Sequence, residues 1–164
     1  MPDLKPILLV EDSPQDIELT LAALEENHLA NEVIVVRDGE EALAYLFREG
    51  IFKLRAEGNP AVVLLDLKLP KVDGLQVLER VKKSDDLRTI PIVVLTSSRE
   101  EQDLVQSYKL GVNAYVVKPV DFAEFVEAIQ ELGLFWAVIN QPPPGSVARE
   151  REKRPAVIAV RKSS

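Results

Sequence analysis

Short apolar runs recur along the chain, and each is closed by a polar or charged residue and followed by a segment with helical spacing. The runs at 7–10, 32–36, 61–65, 92–95 and 114–117 predict five strands. Between them lie five predicted helices, most with a start signal. Ser13 is the expected N-cap of the first, with Pro14 at the first helical position and Asp16 folding back. Ile17, Leu21 and Leu24 fall at core spacing, and the helix is expected to run to about residue 27. Asp38 caps the second, with Glu41 three residues on and Ala42, Leu43 and Leu46 inward. The third spans 74–83 with Leu75, Val77, Leu78 and Val81 apolar. Ser98 opens the fourth, with Glu101 in the box position and Leu104, Val105 and Tyr108 apolar. Asp121 caps the fifth, with Glu124 in the box and Phe122, Phe125, Val126, Ile129 and Leu132 apolar.

Strands 1, 3 and 4 are unbroken apolar runs. That suits strands covered by helices on both faces, as in a parallel sheet. Right-handed crossovers then give an open, doubly wound α/β sheet. Ligands bind such sheets beyond the carboxyl ends of the strands. On that side fall Glu11 and Asp12 after strand 1, Asp66 after strand 3, Thr96 after strand 4 and Lys118 after strand 5. Adjacent strands are about 4.8 Å apart, so their terminal side chains can share one ion or one phosphate. A carboxylate at the end of a buried strand is costly to desolvate and needs a partner. Three acids, a hydroxyl and an ammonium can hold a divalent metal and receive a phosphoryl group.

Composition narrows the choices. The 164 residues suit one domain with some length over, and 46% are hydrophobic, enough for a sizeable core. A formal charge of -7 argues against wholesale nucleic-acid binding. The chain has no cysteine, which excludes disulfides, thiolate catalysis and zinc-thiolate sites. No stretch reaches the length of a membrane span, and the N-terminus lacks signal-peptide character. A soluble cytoplasmic protein is expected. Two regions exceed the repeating pattern: a polar loop at 50–60, and a C-terminal part. The latter runs through Pro142-Pro143-Pro144, linker chemistry, to a charged stretch at 149–154 and the β-favouring Ala156-Val157-Ile158-Ala159-Val160. The expected division is a domain at 1–139 and a linker and tail at 140–164. His28 is expected at the surface near the end of the first helix.

Five motifs, in order and spacing, carry a resemblance: Val10-Glu11-Asp12, Leu65-Asp66-Leu67-Lys68-Leu69-Pro70, Asp73-Gly74, Leu95-Thr96-Ser97 and Val117-Lys118-Pro119. Together they resemble the receiver domains of response regulators, the phosphoacceptor partners of histidine kinases, over roughly residues 5–135. The resemblance implies a flavodoxin-like five-stranded parallel sheet in the order 2-1-3-4-5. It implies Asp66 as phosphoacceptor. Mg²⁺ would be held by Asp12, Asp66 and the Lys68 backbone carbonyl, with Glu11 on a metal-bound water. Thr96 and Lys118 would meet the phosphoryl group. Thr96 and Tyr115 would form a switch, and Lys118-Pro119 a cis peptide. It implies no enzyme beyond Mg²⁺-dependent self-phosphorylation from a donor and slow self-dephosphorylation.

The 50–60 loop and the ending from Gly133 through Pro144 resemble the stand-alone regulators paired with bacterial phytochrome kinases. The implied partner is therefore a sensor histidine kinase, with output by protein contact and a homodimer expected. Nucleic acid and membrane are not expected partners. The tail at 156–160 either exchanges between subunits or lies free.

Other functions compete. A Mg²⁺-dependent aspartyl-phosphate hydrolase usually wants an acid two residues after its nucleophile, where this chain has Lys68. A pseudo-receiver working without phosphate remains the main alternative, although the acid set is intact. A flavin site lacks a glycine-rich loop after strand 1. Tyr115 stands open between core aromatic and switch, and Phe135 and Trp136 between core and interface patch.

Overall fold

β1 (Ile7–Val10), α1 (Pro14–Glu25), β2 (Val33–Val36), α2 (Gly39–Phe47), β3 (Val62–Asp66), α3 (Gly74–Lys82), β4 (Ile92–Thr96), α4 (Arg99–Ser107), β5 (Ala114–Val117) and α5 (Phe122–Glu131) alternate along the chain. A computed structural model describes residues 5–25, 31–112 and 114–131. His28, Leu132, Phe135, Trp136, the Pro-rich linker and the 156–160 tail lie outside the described residues.

All strand pairs are parallel, in the order β2-β1-β3-β4-β5, as the resemblance implies. Successive side chains of a strand point to opposite faces, and the core divides accordingly. Leu9, Leu64, Val93, Leu95 and Val116 pack with Ile17, Leu24, Phe125 and Ile129 of α1 and α5. Leu8, Val10, Val63, Leu65 and Val94 pack with Leu43, Leu46, Val77, Leu78, Val81 and Val105 of α2, α3 and α4.

Two strands run one residue past their expected ends. Asp66 is the last residue of β3, in register with Leu95, and Thr96 the last of β4, in register with Val117. The Thr96 carbonyl still accepts from the Lys118 amide at 2.8 Å. Pairing with the next strand thus carries the backbone extended into each polar residue.

The caps form as expected at one end and differ at the other. Ser13, Asp38, Ser98 and Asp121 each accept the expected backbone N–H. The returning half of the box goes elsewhere: Glu41 accepts from the Arg37 amide at 2.7 Å, and the Asp16 carboxylate turns into the sheet edge. The reciprocal box belongs to α3, between Asp73 and Gln76.

α4 is a further difference. Leu104 and Tyr108 are 48% and 47% exposed, while Val105 is buried. Leu104 and Tyr108 share a stripe four residues apart, and the helix is rolled so that this stripe faces away from the sheet. The polar loop at 50–60 is ordered by Arg55. Its guanidinium lies 4.2 Å from the Tyr45 ring centroid and donates to the carbonyls of Tyr45, Ala56 and Gly58.

Candidate functional site

Glu11 continues β1: its amide donates to the Val36 carbonyl at 3.0 Å, which fixes its side chain beyond the sheet edge, fully buried. Asp66 is 4% exposed at the end of the neighbouring strand. Oxygens of Glu11, Asp12 and Asp66 all lie within 4.8 Å of one another. Three hard oxygen donors at that spacing fit a divalent cation.

Lys118 reaches this cluster from β5. Its Nζ lies 3.3 Å from Glu11 Oε1, 3.3 Å from Asp66 Oδ2 and 3.1 Å from Asp16 Oδ2. Burial disfavours the ammonium, but Asp16, Asp66 and Glu11 outweigh it and hold the Lys118 pKa above its ordinary value. Glu11 moves the opposite way for a carboxyl. Burial, then the charge of Asp66, push its pKa up from 4.5 to about 7, against the pull of Lys118. The Lys118-Pro119 peptide is cis.

Thr96 is fully buried, and its hydroxyl has no hydrogen-bond partner among the described residues. A buried unpaired hydroxyl costs on the order of 1–3 kcal/mol. A phosphoryl oxygen entering the site is a partner of the right kind for it. The donor set, the unpaired Thr96 hydroxyl and the nearby Lys118 therefore fit both a metal and a phosphoryl group.

The loop after β3 is packed tightly behind Asp66. The Gly74 amide donates to the Leu67 carbonyl at 2.8 Å. A Cβ at residue 74 would overlap the Asp66 carbonyl oxygen and stand 2.6 Å from the Leu67 Cα. A Cβ at residue 39 would overlap the Val72 carbonyl in the same way. Only glycine admits backbone this close.

Sequence reasoning brought Glu11, Asp12, Asp66, Thr96 and Lys118 to one edge, and there they stand. Lys68 is one step out: its side chain is 81% exposed and pairs with Glu101 at 3.4 Å, while its amide lies 3.5 Å from Asp66 Oδ1. Tyr115 lies on β5 with its hydroxyl donating to the Val112 carbonyl at 3.4 Å. Two residues were missed. Asp16 fits the sequence pattern of a cap, although its place one turn into the helix that leaves β1 puts it on the same edge. Glu101 likewise fits the pattern of a cap. Its carboxylate accepts from the Ser97 amide at 2.9 Å and the Ser97 hydroxyl at 3.1 Å, besides pairing with Lys68.

Residues 7–130 match the family model of the response regulator receiver domain, and the chain belongs to that family. Among solved structures it is similar to the bacteriophytochrome response regulator AtBRR, 68% identical with a TM-score of 0.81 over 85% of this chain and 100% of that one. It is 41% identical to the response regulator Rcp1 of Synechocystis sp. over 80% of this chain and 88% of that protein. The Mn²⁺-bound form of Rcp1 matches with a TM-score of 0.64 over 81% of this chain and 94% of that one. The phosphorylated cyanobacterial phytochrome response regulator RcpA is 41% identical, with a TM-score of 0.66 over 81% of this chain and 94% of the other.

Proposed function

We propose that this protein is a phosphoaccepting response regulator of a two-component pathway, receiving its phosphoryl group on Asp66 from a sensor histidine kinase. The observation that carries this is the convergence of Glu11, Asp12 and Asp66 beside Lys118 and an unpaired Thr96 hydroxyl. In the transfer, an Asp66 carboxylate oxygen bonds to phosphorus as the phosphorus–nitrogen bond of the donor's phosphohistidine breaks. The imidazole nitrogen leaves with the bonding pair. Lys118 and Thr96 meet the charge on the equatorial oxygens, where phosphoryl transfer needs it neutralised.

Asp12, Asp66 and the Lys68 carbonyl would hold the metal, with Glu11 on a bound water, and Mg²⁺ is the ion we assign. It would supply further neutralisation of the phosphoryl oxygens. The Mn²⁺-bound form of Rcp1 supports a divalent ion in this fold, and the phosphorylated RcpA supports the acceptor role. Similarity to AtBRR and RcpA supports a phytochrome kinase as the partner. Slow self-dephosphorylation completes the cycle.

Switching is assigned to Thr96 moving toward the phosphoryl group and Tyr115 following. The phosphoryl group shifts this equilibrium only by its unequal contacts with the two states. Output is assigned to protein contact in the cytoplasm, with a homodimer and with neither nucleic acid nor membrane as partner. The division into a receiver at 1–139 and a tail at 140–164 belongs to the same reading, and deleting 142–164 without any change in solution mass would remove tail exchange from it.

Intact mass after incubation with acetyl phosphate and Mg²⁺ tests the central claim. The expected result is one added phosphoryl group that requires Mg²⁺ and is absent in Asp66→Asn. An adduct that persists in Asp66→Asn would move the acceptor elsewhere. No adduct, with rapid hydrolysis excluded, would favour a binding module that works without phosphate.

A further inference from the structure

An ammonium has three N–H donors and no acceptor, and Lys118 meets three carboxylates. Two of them, Glu11 and Asp66, belong to the acid trio that converges on a common point. Asp16 does not, and it is the closest of the three at 3.1 Å. A cation among the trio would draw on Glu11 and Asp66 and weaken their hold on Lys118. Asp16 would remain the carboxylate that Lys118 keeps.

Asp16 is held in place by the start of α1. Its amide donates to Ser13 Oγ at 3.2 Å in the first turn of α1. That turn follows β1 directly, so the carboxylate stands beside the strand ends without being part of the cluster. An acid in the first turn of a helix is ordinarily explained by the helix dipole. That explanation accounts for the residue type. It does not account for an ion pair to a lysine 102 positions away in the chain, whose side chain is only 17% exposed.

We propose that Asp16 is a positioning residue for phosphoryl transfer: it anchors Lys118 at the edge of the acid cluster, so that the ammonium stays beside Asp66 when the phosphoryl group arrives. Asp16 touches neither the phosphoryl group nor the metal, and acts through Lys118. The proposal rests on the phosphoacceptor reading of Asp66.

The test is a double-mutant cycle on the full chain, reading the rate of phosphoryl gain from acetyl phosphate with Mg²⁺ by intact mass. Asp16→Asn should slow the gain by about fivefold, the upper end for a partly exposed ion pair. In the Lys118→Gln background the same substitution should change nothing further, because the residue it acts through is gone. Asp16→Glu should recover most of the rate. Without metal, the Lys118 side-chain ammonium signal in nitrogen-15 NMR should be visible in the wild type and broadened by faster proton exchange in Asp16→Asn. An unchanged rate in Asp16→Asn would overturn the proposal, as would an equal slowing with and without Lys118. A wild type that gains no phosphoryl group would instead remove the acceptor reading, and the proposal with it. That result is distinguishable, because it appears before any Asp16 variant is made.

Discussion

The loops after β3 and β4 carry the two sides of the site, and they are held by different kinds of contact. Behind Asp66 the contacts are backbone on backbone: Gly74 against Asp66 and Leu67, and Gly39 against Val72. The reciprocal Asp73–Gln76 box starts α3, which buries Val77, Leu78 and Val81. After Thr96 the contacts are side chain to loop: Glu101 to Ser97 and to Lys68, ahead of a helix that buries Val105. Backbone packing at close range has one arrangement. Polar side-chain contacts at a partly exposed position can be exchanged at little cost. The proposed acceptor, Asp66, therefore sits on the fixed half, and the Thr96 hydroxyl that would follow the phosphoryl group sits on the half that can rearrange.

The fixed half can be broken most severely at Gly74. Gly74→Ala places a methyl group into the Asp66 carbonyl with no flexible side chain to give way. Urea unfolding should show a loss of about 3 kcal/mol, the upper end for overpacking. A loss below about 1 kcal/mol would mean that the β3 loop yields as easily as the β4 loop, and the contrast would fail.

The acid cluster gives the next largest effect, and it depends on pH. Glu11 releases its proton near 4.5 when unfolded and near 7 in the fold. Between those values the native state binds more protons than the unfolded chain, so stability falls as pH rises. The penalty is absent below 4.5 and complete above about 7. Without metal, the stability of Glu11→Gln relative to wild type should rise by about 2 kcal/mol across that window, less than the full shift because Lys118 redistributes among its partners. A difference that stays level with pH would show that the fold does not strain Glu11, and that the site can stay charged without a cation.

The same contrast explains what was legible in the sequence. The strand-closing acids, Thr96 and Lys118 could be placed because each ends an apolar run, and parallel packing brings such ends to one edge. The unbroken apolar runs likewise gave the doubly wound sheet. The partners of those residues were harder to see. Asp16 and Glu101 occupy the third position of a helix, where a capping box explains an acid without reference to anything distant. Their carboxylates instead go to Lys118 and Ser97. The roll of α4 was illegible for a related reason. Leu104, Val105 and Tyr108 are all apolar, and periodicity alone does not choose which of two adjacent stripes faces the sheet.

That roll leads to a third effect. Val105→Ala should cost about 1.5 kcal/mol by removal of buried methyl groups. Hydrogen exchange should rise across α4 more than elsewhere, since Val105 is 1% exposed while Leu104 and Tyr108 are about half exposed. In α3, Val77→Ala should leave the helix protected, because Leu78 and Val81 remain buried. Equal loss of protection in the two helices would erase the difference in anchoring between them.

The smallest effect is the most local. Glu101→Gln keeps the shape of the side chain and weakens its hold on the Ser97 amide, the Ser97 hydroxyl and Lys68. Global stability should change by less than about 1 kcal/mol, because Lys68 is largely exposed and such pairs are worth little. The Ser97 amide should nevertheless exchange faster, since a side chain protects it and the sheet ladder does not. If Thr96 moves toward an arriving phosphoryl group, its neighbour must leave Glu101, and the variant has part of that cost removed already. Its phosphorylated and unphosphorylated forms should then differ less in Ser97 exchange than those of the wild type. An unchanged Ser97 exchange rate in the unphosphorylated variant would show that Glu101 does not hold the loop, and the β4 side would need another restraint.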